Sequence, residues 1–325
     1  EMIPLPKGGY DFVSLPDMHS GSVFGLWHPD FKLKDGSKHS LNEMQEWLWK
    51  YWNIMCIELT KDPPDACIVP GDAVDGVQRR AYGRRLVTAD MDDQRKNAAM
   101  LYRMVPLKHH WGESKEFGPY YVSCGTDYHE ALTNTIHDTL CEDLVGKGCV
   151  DEHGWPATVG QSAADYYWLD TLGDLHVGDF VINVAHGSSS AFVQIETPIS
   201  RERTFMLNAS ELQKASYADL ILRAHTHVFN QIEVAGARQL PFPTLKMPAV
   251  VSLKTVICPS FQGQTEYMRK KSPYKLIPDI GYVQIHVDEF GVHVRDRIFP
   301  PLILKGIERF VEAKPSQTNN RKRAK

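Results

Sequence analysis

The sequence predicts an α/β fold on three observations. Short apolar strands alternate with segments of helical period early in the chain, and the later part becomes a run of strands. Clusters of aspartate and histidine lie just past the C-terminal ends of the predicted strands. In open α/β sheets, those ends are where side chains from distant parts of a chain meet in one crevice.

The elements follow in order. Residues 10–15 alternate and stop at Pro16-Asp17, a strand that delivers a loop. A helix is expected from Leu41 to Leu59, with Ser40 as N-cap and Glu43, three residues on, completing a capping box. Trp47, Leu48, Tyr51, Trp52 and Met55 recur at helical spacing as its buried stripe. Residues 67–69 form a short strand ended by Pro70-Gly71-Asp72. Asp90 to Met104 reads as a second helix, Tyr120 to Cys124 as a third strand with Gly125 opening its turn, and Ala131 to Val145 as a further helix. Strands over 180–185 and 220–223 end at His186 and His225. Residues 250–257, 281–287 and 292–299 complete the set, the last two joined by the hairpin turn Asp288-Glu289-Phe290-Gly291.

At 325 residues the chain is long enough for two domains, but no linker or internal repeat divides it. One domain is expected over residues 1–312, followed by a polar, basic and disordered tail over 313–325. A hydrophobic share of 42% is enough for a substantial core. Against 40 acidic residues stand 36 basic ones, and the net charge of −4 provides no global field towards nucleic acid or an anionic membrane. No run approaches the roughly 18 apolar residues of a membrane span, so no membrane partner is expected. Residues 1–9 hold no signal segment, although a leader removed before Glu1 is left open. The six cysteines form no close C-x-x-C pair, which favours reduced thiols and a cytoplasmic setting.

Five short segments are rich in metal ligands: Asp17-Met18-His19, Gly71-Asp72-Ala73-Val74-Asp75-Gly76, Gly125-Thr126-Asp127-Tyr128-His129-Glu130, His186-Gly187 and His225-Thr226-His227. Imidazole and carboxylate without thiolate suit zinc, manganese or iron. Any one segment alone is explained by a turn aspartate or a satisfied histidine. Together and in this order they resemble the calcineurin-like metallophosphoesterase superfamily, whose pattern reads D-x-H, G-D-x-x-D, G-N-H-D/E, H and G-H-x-H. The resemblance implies a four-layer α/β/β/α sandwich of two mixed sheets and two divalent metal ions (Mn, Fe or Zn). It also implies phosphoester hydrolysis with a metal-bridging hydroxide as nucleophile. Carried over residue by residue, it assigns Asp17, His19, Asp72 and His227 to one metal, and Asp72, His186 and His225 to the other. Asp72 is then the shared ligand. His129 becomes the general acid, with Glu130 placed to orient its ring, and Asp75 braces its loop rather than binding metal.

The third motif departs from the pattern, since Thr126-Asp127-Tyr128 intervene and the usual asparagine ligand is missing. Asp127 could supply a carboxylate, Thr126 a hydroxyl, or a water could fill the place. Asp127 could equally cap the following helix. A G-T-x-x-H form of this motif is similar to that of phosphoesterase-like sequences carried by bacteriophages. Ala224 stands where the family usually has glycine, a small change. His28, His109, His110, His137 and His153 lack the strand-end context and read as surface or core histidines.

Substrate signals are thinner. Arg79, Arg80, Arg84 and Arg85 follow the Asp72 loop closely and offer planar donors suited to phosphate, and Tyr82 between them could stack on a base. The plainer alternative is a solvated, salt-bridged face. Gly187-Ser188-Ser189-Ser190 beside His186 is a polar loop at the expected site mouth. Three functions remain in play: a phosphodiesterase or nuclease acting on DNA or RNA, a small-nucleotide or protein phosphomonoesterase, and a scaffold that kept the fold and lost turnover. The intact set of ligand types favours the enzymes. Oligomeric state is not legible.

Overall fold

The computed structural model describes residues 2–78, 83–111, 115–117, 119–126, 129, 140, 144, 166–169, 172–187, 218–238, 249–265 and 277–300. In chain order the elements are β1 (Met2–Ile3), β2 (Tyr10–Ser14), α1 (Glu43–Lys61), β3 (Ala66–Val69), α2 (Met91–Arg103), β4 (His109–Trp111), β5 (Lys115–Phe117), β6 (Tyr120–Val122), β7 (Tyr166–Trp168), β8 (Gly173–Val177), β9 (Phe180–Val184), β10 (Leu220–Arg223), β11 (Asn230–Arg238), β12 (Ala249–Ile257), β13 (Ile280–Asp288) and β14 (Gly291–Phe299).

Two six-stranded mixed sheets carry the fold, in the orders β1-β8-β9-β10-β12-β11 and β14-β13-β2-β3-β6-β7, with β4-β5 as a separate hairpin. In the second sheet β2, β3, β6 and β7 run parallel, while β13 and β14 join antiparallel. In the first, β9, β10 and β12 run parallel. Strand alternation decides what lies on each face. Phe12, Ile68 and Tyr121 point one way and pack with Ile182, Val184, Leu220, Leu222 and Val256 of the other sheet, forming the core between the sheets. Val13, Cys67, Val69, Tyr120 and Val122 point the other way, onto Leu48, Trp52, Met55 and Leu59 of α1 and Ala98, Leu101 and Tyr102 of α2. The expected pair of mixed sheets with helices outside is therefore present. Among the described residues, the helices cover the second sheet.

Helix α1 begins later than expected. Asn42, not Ser40, is the N-cap: its side chain accepts from Gln45 N at 3.0 Å, and the Gln45 side chain accepts from Asn42 N at 3.3 Å. The box is thus Asn42–Gln45 rather than Ser40–Glu43, because asparagine serves as well as serine and the chain turns two residues further on. Helix α2 has the expected bounds, with Asp90 accepting from Asp92 N and Asp93 N. Of the helix expected over 131–145, only Leu140 and Leu144 fall among the described residues, and both are buried in the outer core. Strands β1, β4, β5, β7, β8 and β11 were not foreseen. The tail over 313–325, Cys141, Cys149, Tyr82, His137, His153 and Ser188-Ser189-Ser190 lie outside the described residues. Cys56, Cys67, Cys124 and Cys258 are free thiols, and burial pushes Cys56 and Cys258 up to about 12. Among the described residues, no helix is long and apolar enough to cross a membrane.

Candidate metal centre

Parallel strands set the site. The loops after β2 and β3 continue the pairing of their strands: Asp17 N donates to Gly71 O, His19 N to Asp72 O and Ser20 N to Ala73 O, at 2.9–3.2 Å. Asp17, His19 and Asp72 are thereby locked side by side. Gly71 lies in the left-handed region, and a Cβ there would collide with Gly125, so the third loop can close onto the second only over a glycine. Gly76 likewise leaves room for the backbone of His129. From the other sheet, His225 N donates to Asp17 Oδ2 at 3.0 Å and ties the two sets of strand ends together.

Backbone strain concentrates here. Among the described residues, six other than glycine have φ in the left-handed region: Asp17, His19, Asp72, Gln78, His225 and His227. Five of them are ligand candidates. Such conformations cost of order 1–3 kcal/mol each and persist only where the surroundings impose them, most often at functional sites. Nothing in the sequence distinguishes these residues on that count.

Their side chains converge. Asp17, His19 and His227 form one group, Asp72, His186 and His225 a second, and His19, Asp72 and His129 a third that overlaps the first two. His227 Nε2 is 3.2 Å from Asp17 Oδ1 and 3.3 Å from His19 Nε2. His186 Nε2 is 3.0 Å from Asp72 Oδ2 and 3.2 Å from His225 Nδ1. His19 Nε2 is 3.7 Å from Asp17 Oδ1 and 3.8 Å from Asp72 Oδ2.

The residues fit divalent cations on three counts. Donors sharing a cation through bonds of roughly 2.0–2.2 Å sit about 2.8–3.6 Å apart, which matches four of these six separations and nearly matches the other two. Asp17 and Asp72 are buried, and among the described residues neither has a lysine or arginine partner, an arrangement that costs several kcal/mol without a compensating charge. Finally, each carboxylate has one oxygen committed and one left over. Asp17 Oδ2 takes the His225 N–H while its buried Oδ1 has no hydrogen-bond partner; Asp72 Oδ1 takes the Thr126 N–H at 2.7 Å while Oδ2 faces His186.

Outer contacts orient the rings as metal ligands require. His186 Nδ1 donates to Pro70 O at 2.8 Å, which turns Nε2 towards Asp72. His19 Nδ1 lies 3.1 Å from Asp75 Oδ1, which turns its Nε2 towards the two aspartates. His129 Nδ1 donates to Asp75 O at 2.9 Å. Asp75 thus contacts two site histidines, a larger role than the loop brace expected of it. Its second oxygen accepts from Gln78 Nε2, and Gln78 is the remaining strained residue. Gln78 opens the arginine-rich segment after the Asp72 loop, and no motif gives it a role. Asp127, Glu130, Arg79 and Arg80 lie outside the described residues, while Arg84 is exposed and Arg85 half-buried in the turn after Gly83.

The two aspartates dominate the electrostatics of the site histidines. Burial alone would lower His19, but Asp17, Asp75 and Asp72 outweigh it and raise it to about 10. Burial is likewise overcome at His186, which Asp72 and Asp17 raise to about 9. Burial and the neighbouring His186 take His225 down to about 4. Against burial, the histidines hold Asp17 and Asp72 well below the usual carboxylate range. The sign follows. Raised histidines stabilise the metal-free fold fully below about 6.5 and cease to do so as pH rises through 9 to 10. A cation must displace both protons, so its apparent affinity should climb from pH 7 to 9 by about one log unit per pH unit for each proton displaced. Manganese titrations at pH 7 in buffers of different ionisation heat should show release of about two protons; uptake without release would contradict these charge states.

No family model and no curated protein matches this chain. Among solved structures, a crystal structure of a Vps29 single mutant from Entamoeba histolytica is similar at 12% identity and a TM-score of 0.35, over 89% of this chain and 99% of that one. A double mutant of the same protein is similar at 10% identity and a TM-score of 0.34, over the same shares. So remote a likeness bears on neither the site nor the activity, which rest on the residues themselves.

Proposed function

We propose that this chain is a calcineurin-like metallophosphoesterase, a dinuclear metal-dependent hydrolase of phosphoesters with a phosphodiester as its preferred substrate. The observation that supports this most is the set of six ligand-type side chains from four loops, five of them in strained backbone, whose free atoms face one another at metal-ligand spacing. A silent scaffold has no use for that strain, so the reading as an enzyme is preferred.

Asp17, His19, Asp72, His186, His225 and His227 would hold the two cations. When bound, these would supply positive charge and Lewis acidity at the phosphoryl oxygens. The chain's own proton chemistry falls to His129. Nδ1 is committed to the Asp75 carbonyl, so the proton for the leaving group sits on Nε2. Burial, joined by the neighbouring His19, holds His129 below its ordinary value, and Asp72 and Asp75 offset only part of that. An anionic substrate arriving beside the ring adds to that upward pull and favours the protonated form. Water gives up one proton to solvent and adds to phosphorus, the P–O bond to the leaving group breaks, and the departing oxygen takes the Nε2 proton. The test is a side-by-side assay of manganese-loaded protein on a bis-aryl phosphodiester, an aryl phosphomonoester, and single- and double-stranded DNA. Metal-dependent turnover of the diester supports the reading; turnover of the monoester alone moves it to a phosphomonoesterase.

Arg79, Arg80, Arg84 and Arg85 are proposed to guide a polynucleotide to the site. Binding of single-stranded DNA should then weaken by about 0.7 log units per log unit of salt for each phosphate contacted. Changing all four to glutamine should flatten that slope while leaving hydrolysis of the small diester near wild type, because phosphate contacts place the chain without performing the chemistry. Equal loss on the small substrate would mean that the arginines only brace the Asp72 loop.

A further inference from the structure

The group formed by Asp72, His186 and His225 offers three donors, whereas Asp17, His19, His227 and the shared Asp72 offer four. The third motif, which should complete the smaller set, has no asparagine. Thr126 occupies that point of the loop, and its contacts differ from those of an ordinary turn residue. Its N–H donates to Asp72 Oδ1 at 2.7 Å, a short charge-assisted bond that fixes the carboxylate without any help from the side chain. The hydroxyl lies 3.2 Å from Oδ1 and 3.3 Å from Oδ2. A hydroxyl present only to donate would settle about 2.5–2.7 Å from one carboxylate oxygen. Standing off both at nearly equal distance, Oγ1 instead continues the donor series. Oγ1 to Asp72 Oδ2 is 3.3 Å, Oδ2 to His186 Nε2 is 3.0 Å, and His186 Nε2 to His225 Nδ1 is 3.2 Å. Each of these three separations fits an edge between donors that share a cation through bonds of about 2.0–2.2 Å.

Resting on the metallophosphoesterase reading, we infer that the Thr126 hydroxyl is the fourth protein ligand of the cation held by Asp72, His186 and His225, and that it takes the part of the absent asparagine. One proton and two lone pairs suit it to the place. The proton can go to the Asp72 carboxylate while a lone pair faces the cation. With Oδ1 occupied by the Thr126 N–H, Oδ2 is the oxygen of Asp72 that would remain available to the cations.

The test is calorimetric titration of the full chain with manganese chloride, with elemental analysis of the dialysed product. Wild type should take up about two equivalents. Thr126→Val keeps the shape and the N–H but removes the hydroxyl; it should keep one tight equivalent and weaken the other by about tenfold or more. Thr126→Ser should restore the second equivalent to within about threefold of wild type, because the hydroxyl returns. If near-UV circular dichroism shows that the valine variant has not folded, Thr126→Ala is read in its place. Two equivalents bound by the valine or alanine variant with wild-type affinity would overturn the assignment, as would a serine variant no better than valine. A wild type that takes up no manganese contradicts the metallophosphoesterase reading itself and removes this inference with it.

Discussion

Asp72→Asn should abolish tight binding of both cations and lower turnover by at least about a thousandfold. The cations are asked for several kcal/mol of transition-state stabilisation, and each 1.4 kcal/mol is worth about tenfold. Asparagine is the informative change. Position 72 sits in the left-handed region, which asparagine tolerates and alanine resists, so the variant removes charge without adding strain. Thr126 N–H can still donate to the side-chain oxygen, which keeps the loop contact in place. In the metal-free protein the same change removes the main attraction that raises His186. An NMR titration should therefore find that imidazole well below about 9. Retention of both cations by Asp72→Asn would show that the carboxylate is not shared.

His129→Ala should keep both cations and lose turnover by roughly 10²–10⁴-fold, the usual worth of a general acid. The loss should be smallest on aryl esters whose leaving groups need no proton. The prediction is sharp because the geometry leaves a rival. His129 lies within ligand range of His19 and Asp72, so it could hold a cation as well as deliver a proton. Its Nδ1 bond to the Asp75 carbonyl is compatible with both roles. Metal analysis of the variant separates them: one equivalent fewer makes His129 a ligand, and an unchanged count with uniform loss on all leaving groups removes it from proton transfer.

Much of this arrangement is legible in the sequence. Helices α1 and α2 announce themselves by apolar period, and β2, β3, β6, β9 and β10 by short apolar runs that end at Asp17, Asp72, Gly125, His186 and His225. Those runs are largely buried, which makes them predominantly apolar, and their ends carry the chemistry. The strands that escaped notice have weaker patterns. β1 is two residues long, and β8 alternates its buried Leu175 and Val177 with Asp174 and His176. The misplaced start of α1 is a case of two good caps close together, Ser40 and Asn42, with the outcome decided by which one reaches a free N–H. At the site, ligand identity could be read from residue type, but second contacts could not. Asp75 looked like a brace because its motif position says nothing of His19 and His129 converging on it from other loops. Thr126 is one of three alternatives for the missing ligand, and its place in the motif does not choose among them; Gln78 carries no sequence signal, since its importance lies in what it faces.

Anomalous diffraction from manganese-soaked crystals, recorded on both sides of the manganese absorption edge, addresses the central claim most directly. The account predicts two peaks about 3.5–4 Å apart on either side of Asp72 Oδ2, one among Asp17, His19 and His227 and the other among His186, His225 and Thr126. No peak within this cluster, or manganese bound only elsewhere on the surface, would contradict it.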